Sequence, residues 1–277
     1  MNPEKIQTPE KVNFKIEIEP GGSYFEIDEN GFVVNPASVE KIQSEWKPVI
    51  DDVVGVYKKI YGENLKNVYI RGSVAKGEAV KEISDIDTFA YANLPKEDIE
   101  KVSTKELRDE LEAKHEFADG IEMGTYPLSK ILDDKIMLNQ SVCVYGEAID
   151  VPKMKVGKEM ATHSPTFYNR FKWFGKFLET EESEEENKKG CVWLMKGLLR
   201  VGFELTMERS GKYTRDLYRC YETFVEYYPE KEVEMRKVLD FALNPTADKD
   251  KMKEIMENLG AFLLAEIPKY FEVKNKE

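Results

Sequence analysis

The chain has 277 residues, of which 41% are hydrophobic and 11% aromatic, so it can bury a core and wholesale disorder is excluded. Its net charge of −12 is uneven, because residues 1–150 hold 18 Lys/Arg against 30 Asp/Glu and residues 151–277 hold 23 of each. The acidic half argues against non-specific binding to a nucleic-acid backbone, although ordinary solubility charge explains it equally well. Three scattered cysteines, and no signal-like or membrane-length apolar run, predict a reduced, cytoplasmic location.

The first 150 residues mix strand and helix signals. In chain order they predict a β-hairpin region over 13–34, a helix over 38–61, a strand at 67–71, a Gly-Ser turn, a strand at 85–91, a charged helix over 96–114, a strand at 120–126 and a short helix at 128–134.

Beyond residue 150 the apolar spacing is helical throughout. Predicted helices begin at Ser164, with Pro165 in the first turn, and then at about 191, 214, 231 and 248. The stretch 179–186 holds six glutamates and is predicted to be an exposed loop. This half of the chain is therefore predicted to be a helical bundle.

Two carboxylates follow a turn that suits a phosphate. Val68–Gly77 predicts an apolar strand, a turn at Gly72 and a short basic segment. Asp85 and Asp87 are two residues apart, so on a strand they project from the same face. Backbone N–H groups and a hydroxyl in the turn can hold an anion, and a divalent cation relieves the repulsion of paired carboxylates. The combination predicts a metal-dependent enzyme acting on a nucleoside triphosphate.

The segment Gly72-Ser73, Gly77 and Asp85-Ile86-Asp87 resembles the signature of the DNA polymerase beta-like nucleotidyltransferase superfamily, in its small-molecule (aminoglycoside and lincosamide) branch or its minimal branch. The resemblance covers residues 65–126, and Glu122 stands where the family places a third carboxylate. It implies an α+β fold. A small mixed-sheet nucleotidyltransferase domain over 1–150, with the hairpin region 13–34, would be followed by a helical, HEPN-like substrate-binding domain over 151–277.

The resemblance also assigns roles by position. Glu122 would share the catalytic metal or act as general base on the acceptor hydroxyl. The residues implied for catalysis and for two Mg²⁺ ions are Asp85, Asp87 and Glu122, and those implied for nucleotide binding are Gly72, Ser73 and Lys76. Arg71 fits a solvated surface cation better than a site residue.

The implied reaction transfers a nucleoside monophosphate, AMP from ATP, to a hydroxyl of a small acceptor, with release of pyrophosphate. A membrane partner is excluded and a long nucleic acid disfavoured, while the oligomeric state stays open. Two alternatives remain: transfer to a protein or RNA, of the toxin–antitoxin type, and a catalytically silent nucleotide-binding module.

Two clusters that contain basic residues in the helical half each have a functional and a structural interpretation. Lys196 and Arg200, four residues apart, either reach a triphosphate or face solvent. In Tyr213–Leu217, Thr214 either caps a helix, or Tyr213 stacks on a ring while Arg215 reaches a phosphate. The structural reading is favoured in both cases.

Overall fold

The computed structural model describes residues 18–271, which divide into two compact units. One unit is Phe25–Met160, and the other joins the chain from Ala161 onward to the segment that ends at Tyr24. Within 18–271 no helix is both long and apolar enough to cross a bilayer. The functional assignment of two domains divided at residue 150 stays a prediction.

The unit Phe25–Met160 contains a sheet with helices. Its elements are α1 (Lys47–Tyr61), β1 (Leu65–Arg71), α2 (Gly72–Lys76), β2 (Ile86–Ala92), α3 (Lys96–Ile99), α4 (Lys105–Lys114), β3 (Ile121–Pro127), α5 (Lys135–Leu138) and β4 (Ser141–Gly146).

The sheet is mixed, with strand order β3-β2-β1-β4. Strand β1 pairs antiparallel with β2 and β4, whereas β2 and β3 run parallel and are joined through α3 and α4. The mixed sheet and the helices confirm the predicted α+β class. Strand β4, a short edge strand whose side chains are mostly half-buried, was not predicted, although Val142, Val144 and Tyr145 favour a strand.

The two faces of the sheet bury different side chains. One face packs Ile70 and Ile86 against Trp46 and Val53, all nearly inaccessible to solvent. The opposite face carries an aromatic cluster in which Tyr69 and Phe89 stack with ring centroids 5.1 Å apart. Each fully buried large side chain contributes about 1.5–3 kcal/mol of stability, so both faces hold the strand register firmly.

Two sequence predictions in this unit are corrected. The helix predicted over 96–114 is two helices, because Val102-Ser-Thr104 has weak helix propensity and interrupts it. Residues 13–17 of the predicted hairpin region lie outside the described residues. Within 18–34 the hairpin is reduced to a bridge between Ile27 and Val33, closed by the Asp28 carboxylate, which accepts the N–H groups of Asn30 and Phe32.

The second unit is helical, as predicted. Its helices are α6 (Phe167–Glu179), α7 (Glu184–Glu204), α8 (Met207–Ser210), α9 (Leu217–Tyr227), α10 (Glu232–Leu243), α11 (Lys249–Ile255) and α12 (Ala261–Glu266), with a π-helical segment over Met256–Gly260.

Two details of this unit differ from prediction. The Glu-rich stretch is only partly a loop, since Ser183 caps α7 and three glutamates occupy its first turn, where the helix dipole favours them. Thr214 does not cap a helix. Helix α9 begins at Leu217, and the Thr214 hydroxyl donates to the carbonyl of Ser23 and accepts the N–H of Asp216.

Candidate active site

The strand register places one cation and two carboxylates side by side on the aromatic face of the sheet. Arg71 at the end of β1 is opposite Asp87 on β2, and Asp87 is opposite Glu122 on β3. Arg71 Nη2 lies 3.2 Å from Asp87 Oδ1 and 3.2 Å from Glu122 Oε2. A single guanidinium thus bridges the two carboxylates, one from each neighbouring strand.

The two carboxylates are close enough to share a proton. The hydrogen bond with Asp87, followed by partial burial, raises the pKa of Glu122 to about 7, while Arg71 acts in the opposite direction. Near neutral pH, Glu122 can therefore take up or release a proton with little cost.

Gly72 gives the chain room to turn against Asp87. Its φ of +73° lies in the left-handed region, which glycine adopts without strain. A Cβ at this position would stand 2.5 Å from Asp87 Oδ2. The turn after β1 therefore requires glycine for its backbone conformation and for its closeness to the carboxylate.

We expect Gly72→Ala to impair the site more than the fold. Left-handed backbone costs a non-glycine residue about 1–2 kcal/mol, and the Asp87 carboxylate must also move. Gly211→Ala is the control, because Gly211 has left-handed backbone with a φ of +64° and a Cβ there would meet nothing within 4 Å. Similar losses of stability in urea, with loss of activity confined to Gly72→Ala, are expected. Equal activity in both variants would contradict this account.

The other predicted residues lie between β1 and β2 along the chain. Asp85 is exposed and precedes β2 by one residue, so it is not within the strand as predicted. Ser73 lies in α2. Lys76 Nζ pairs with Glu78 Oε2 at 3.0 Å, and 17% of its side chain is exposed. Among residues 18–271, no set of three or more His, Cys, Asp or Glu side chains is gathered as metal ligands.

Two residues on this face were not predicted as site residues. Arg71 was interpreted as a solvated cation, and the structure corrects this, since it contacts both Asp87 and Glu122. Tyr126 lies four residues after Glu122 on the same face, and its ring Cε2 and its hydroxyl oxygen lie 3.4 and 3.5 Å from the Cβ position of Gly124. The i, i+2, i+4 alternation from Glu122 was the signal that could have revealed Tyr126.

Comparison with known proteins gives one family match and similar solved structures. Residues 40–142, which include Arg71, Asp87 and Glu122, match the family described as "Nucleotidyltransferase domain". The chain is also similar to the solved spectinomycin adenyltransferase of Enterococcus faecialis with ATP and spectinomycin, at 13% identity and a TM-score of 0.46, covering 80% of this chain and 99% of that one. No curated protein matches. Residues 40–142 therefore form a nucleotidyltransferase domain, as the Gly72–Asp87 signature indicated, and the protein is an enzyme.

Proposed function

We propose that this enzyme transfers AMP from ATP to a hydroxyl group of a small molecule and releases pyrophosphate. The observation that carries the proposal is the alignment of Asp87 with Glu122 across two parallel strands, beside the Gly72 turn. Cys143, Cys191 and Cys220 are free thiols, which suits the reducing cytoplasm as its location.

The donor set suits Mg²⁺. Asp85, Asp87 and Glu122 offer only oxygen ligands, and the Arg71 guanidinium shows that positive charge is favoured between two of them. These three residues would hold two Mg²⁺ ions. Bound Mg²⁺ would neutralise phosphate charge and make the α-phosphorus a better electrophile.

The chain's own residues would carry the proton and the phosphates. As the acceptor oxygen bonds to the α-phosphorus, the bond from that phosphorus to the β-phosphate oxygen breaks and pyrophosphate leaves. Glu122 would share the catalytic metal or take the hydroxyl proton as general base. Gly72 would let the triphosphate approach the backbone, and Ser73 and Lys76 would bind its phosphates.

The direct test incubates the protein with α-labelled ATP, Mg²⁺ and a panel of hydroxyl-bearing small molecules, including aminoglycosides, and measures pyrophosphate together with labelled product. Labelled small product and stoichiometric pyrophosphate are expected. Label on a protein or an RNA would select macromolecular transfer instead. ATP binding that is indifferent to Mg²⁺, without pyrophosphate from any acceptor, would select a silent module.

We expect Arg71→Gln to strengthen the response to Mg²⁺. Arg71 competes with a cation for Asp87 and Glu122, so its loss should lower Tm in EDTA by roughly 2–4 °C and enlarge the increase in Tm produced by Mg²⁺. Differential scanning fluorimetry with and without Mg²⁺ measures both. Lys66→Gln, an exposed lysine on the same strand, is the control. An equal Mg²⁺ effect in wild type and Arg71→Gln would show that the cation binds elsewhere.

A further inference from the structure

Two tryptophans are exposed next to each other on the helical unit. Trp173 of α6 is 49% exposed and Trp193 of α7 is 51% exposed, with ring centroids 5.1 Å apart and planes at 79°. The third tryptophan, Trp46, is fully buried in the other unit. Because large aromatic side chains gain stability from burial, two half-exposed rings side by side mark a surface that a ligand can cover.

Two phenylalanines pack beneath the tryptophan rings and hold them in place. Phe177 stacks on Trp173 with centroids 5.8 Å apart and planes only 4° from parallel. Phe174 is 2% exposed and contacts both tryptophans, with centroids 5.2 Å from each. A Cβ at Gly190 would stand 2.1 Å from the Phe177 ring, so only glycine at this position leaves room for Phe177 between the helices. The tryptophans are therefore held in place before any ligand binds, which lowers the entropic cost of stacking.

Cations lie beside these rings, and the helical stretches that carry the rings contain no acid. Arg170 and Lys176 lie one turn either side of Trp173, and Lys196 lies one turn after Trp193. The Arg170 guanidinium is 5.8 Å from the Trp193 ring. None of these three cations forms an ion pair within the described part of the chain, whereas Lys188 and Lys189 of α7 pair with glutamates. Residues 165–178 and 187–203 contain no Asp or Glu, in a chain of net charge −12.

We propose that this aromatic–basic surface, formed by Trp173, Trp193, Arg170, Lys176 and Lys196, binds single-stranded nucleic acid. Exposed bases stack on aromatic rings, and unpaired cations neutralise the phosphates between them. Net charge does not oppose this, because the surplus of acids lies in residues 1–150 and residues 151–277 are balanced. The inference is independent of the proposed nucleotidyl transfer, since it concerns only binding to α6 and α7.

Titration of the full chain with twelve-residue oligo(U) and oligo(dT) at low salt, followed by tryptophan fluorescence, tests the surface directly. Stacking should quench Trp173 and Trp193, while buried Trp46 gives a constant background. Trp193→Ala should weaken binding about tenfold or more, from the loss of one stacking contact. Lys176→Ala with Lys196→Ala should weaken it and reduce its salt dependence. Fluorescence anisotropy of end-labelled oligonucleotides measures binding for variants that lack a tryptophan.

The matched control is Lys251→Ala with Lys269→Ala, which removes the same charge from lysines paired with acids in segments that carry no tryptophan. Near-native binding by this control supports the proposal. Absence of binding to both oligonucleotides, undiminished binding by folded Trp193→Ala, or an equal loss in the control would overturn it. Binding of anionic lipid vesicles or of an acidic peptide in preference to both oligonucleotides would also overturn it. Circular dichroism establishes that each variant is folded.

Discussion

Replacing Asp87 by Asn is expected to lower kcat/KM for nucleotidyl transfer by about a thousandfold while the protein stays folded. The change removes the charge from the carboxylate that stands between Arg71 and Glu122. A loss of about 4 kcal/mol of transition-state stabilisation, the size expected for removal of the proposed metal ligand, corresponds to this factor. Pyrophosphate release with labelled ATP, Mg²⁺ and the acceptor selected from the panel measures the rate.

A second readout separates loss of the site from loss of the fold. The increase in Tm produced by Mg²⁺ should disappear in Asp87→Asn if Mg²⁺ binds to these carboxylates as proposed. Asp51→Asn is the control, since Asp51 is an exposed acid on α1 in the same unit. It should retain both the rate and the Mg²⁺ response. A rate in Asp87→Asn within a few-fold of wild type would place the chemistry elsewhere.

The sequence predicted best those site residues that lie close together along the chain. Gly72 and Asp87 lie within one strand–turn–strand segment, so alternation and turn chemistry predicted their neighbourhood, and the structure places a Cβ at Gly72 2.5 Å from Asp87. Glu122 is 35 residues further along, and its position was predicted through the family resemblance rather than through periodicity. The structure places it in register opposite Asp87 on the neighbouring strand. Its role as ligand or base stays a prediction.

Residues that act through non-local contacts could not be predicted. Arg71 ends a strand, and only the pairing of β1 with β2 brings it to Asp87. Glu204 follows an apolar stretch of α7, where the sequence pattern predicts core rather than charge. Its partners are residues 162–164, about forty positions earlier, and no periodicity links such distant groups.

Replacing Glu204 by Gln is expected to destabilise the helical unit by about 3 kcal/mol, in the range for breaking a buried charged network. Glu204 is 6% exposed, and its carboxylate accepts the N–H groups of Thr162 at 2.8 Å, His163 at 3.0 Å and Ser164 at 2.6 Å. A glutamine amide directs an NH₂ group at one side of this set of donors, which leaves buried N–H groups without an acceptor. Urea unfolding followed by tryptophan fluorescence measures the change, and Glu257→Gln, an exposed glutamate of the same unit, should change stability by less than about 0.5 kcal/mol.

The same substitution should also flatten the stability profile below about pH 4.3, where Glu204 becomes protonated. Burial alone would raise the pKa of Glu204, but His163 and the donors at Ser164 outweigh it and hold that pKa below its usual value, and Arg170 and Arg200 add positive charge nearby. A carboxyl whose pKa is depressed on folding stabilises the protein above its unfolded pKa of about 4.3, and this contribution is lost as pH falls through the lower folded value.

Burial also lowers the pKa of His163, so protonation of His163 opposes folding as pH falls below about 6.5. The wild type should therefore lose stability on acidification. Because Glu204 raises the pKa of His163 against the effect of burial, Glu204→Gln should lose more stability than the wild type as pH falls below about 6.5. The advantage of the wild type should shrink only below about pH 4.3, as pH approaches the lower folded pKa of Glu204. An advantage independent of pH would mean that Glu204 stabilises the unit by its shape rather than by its charge.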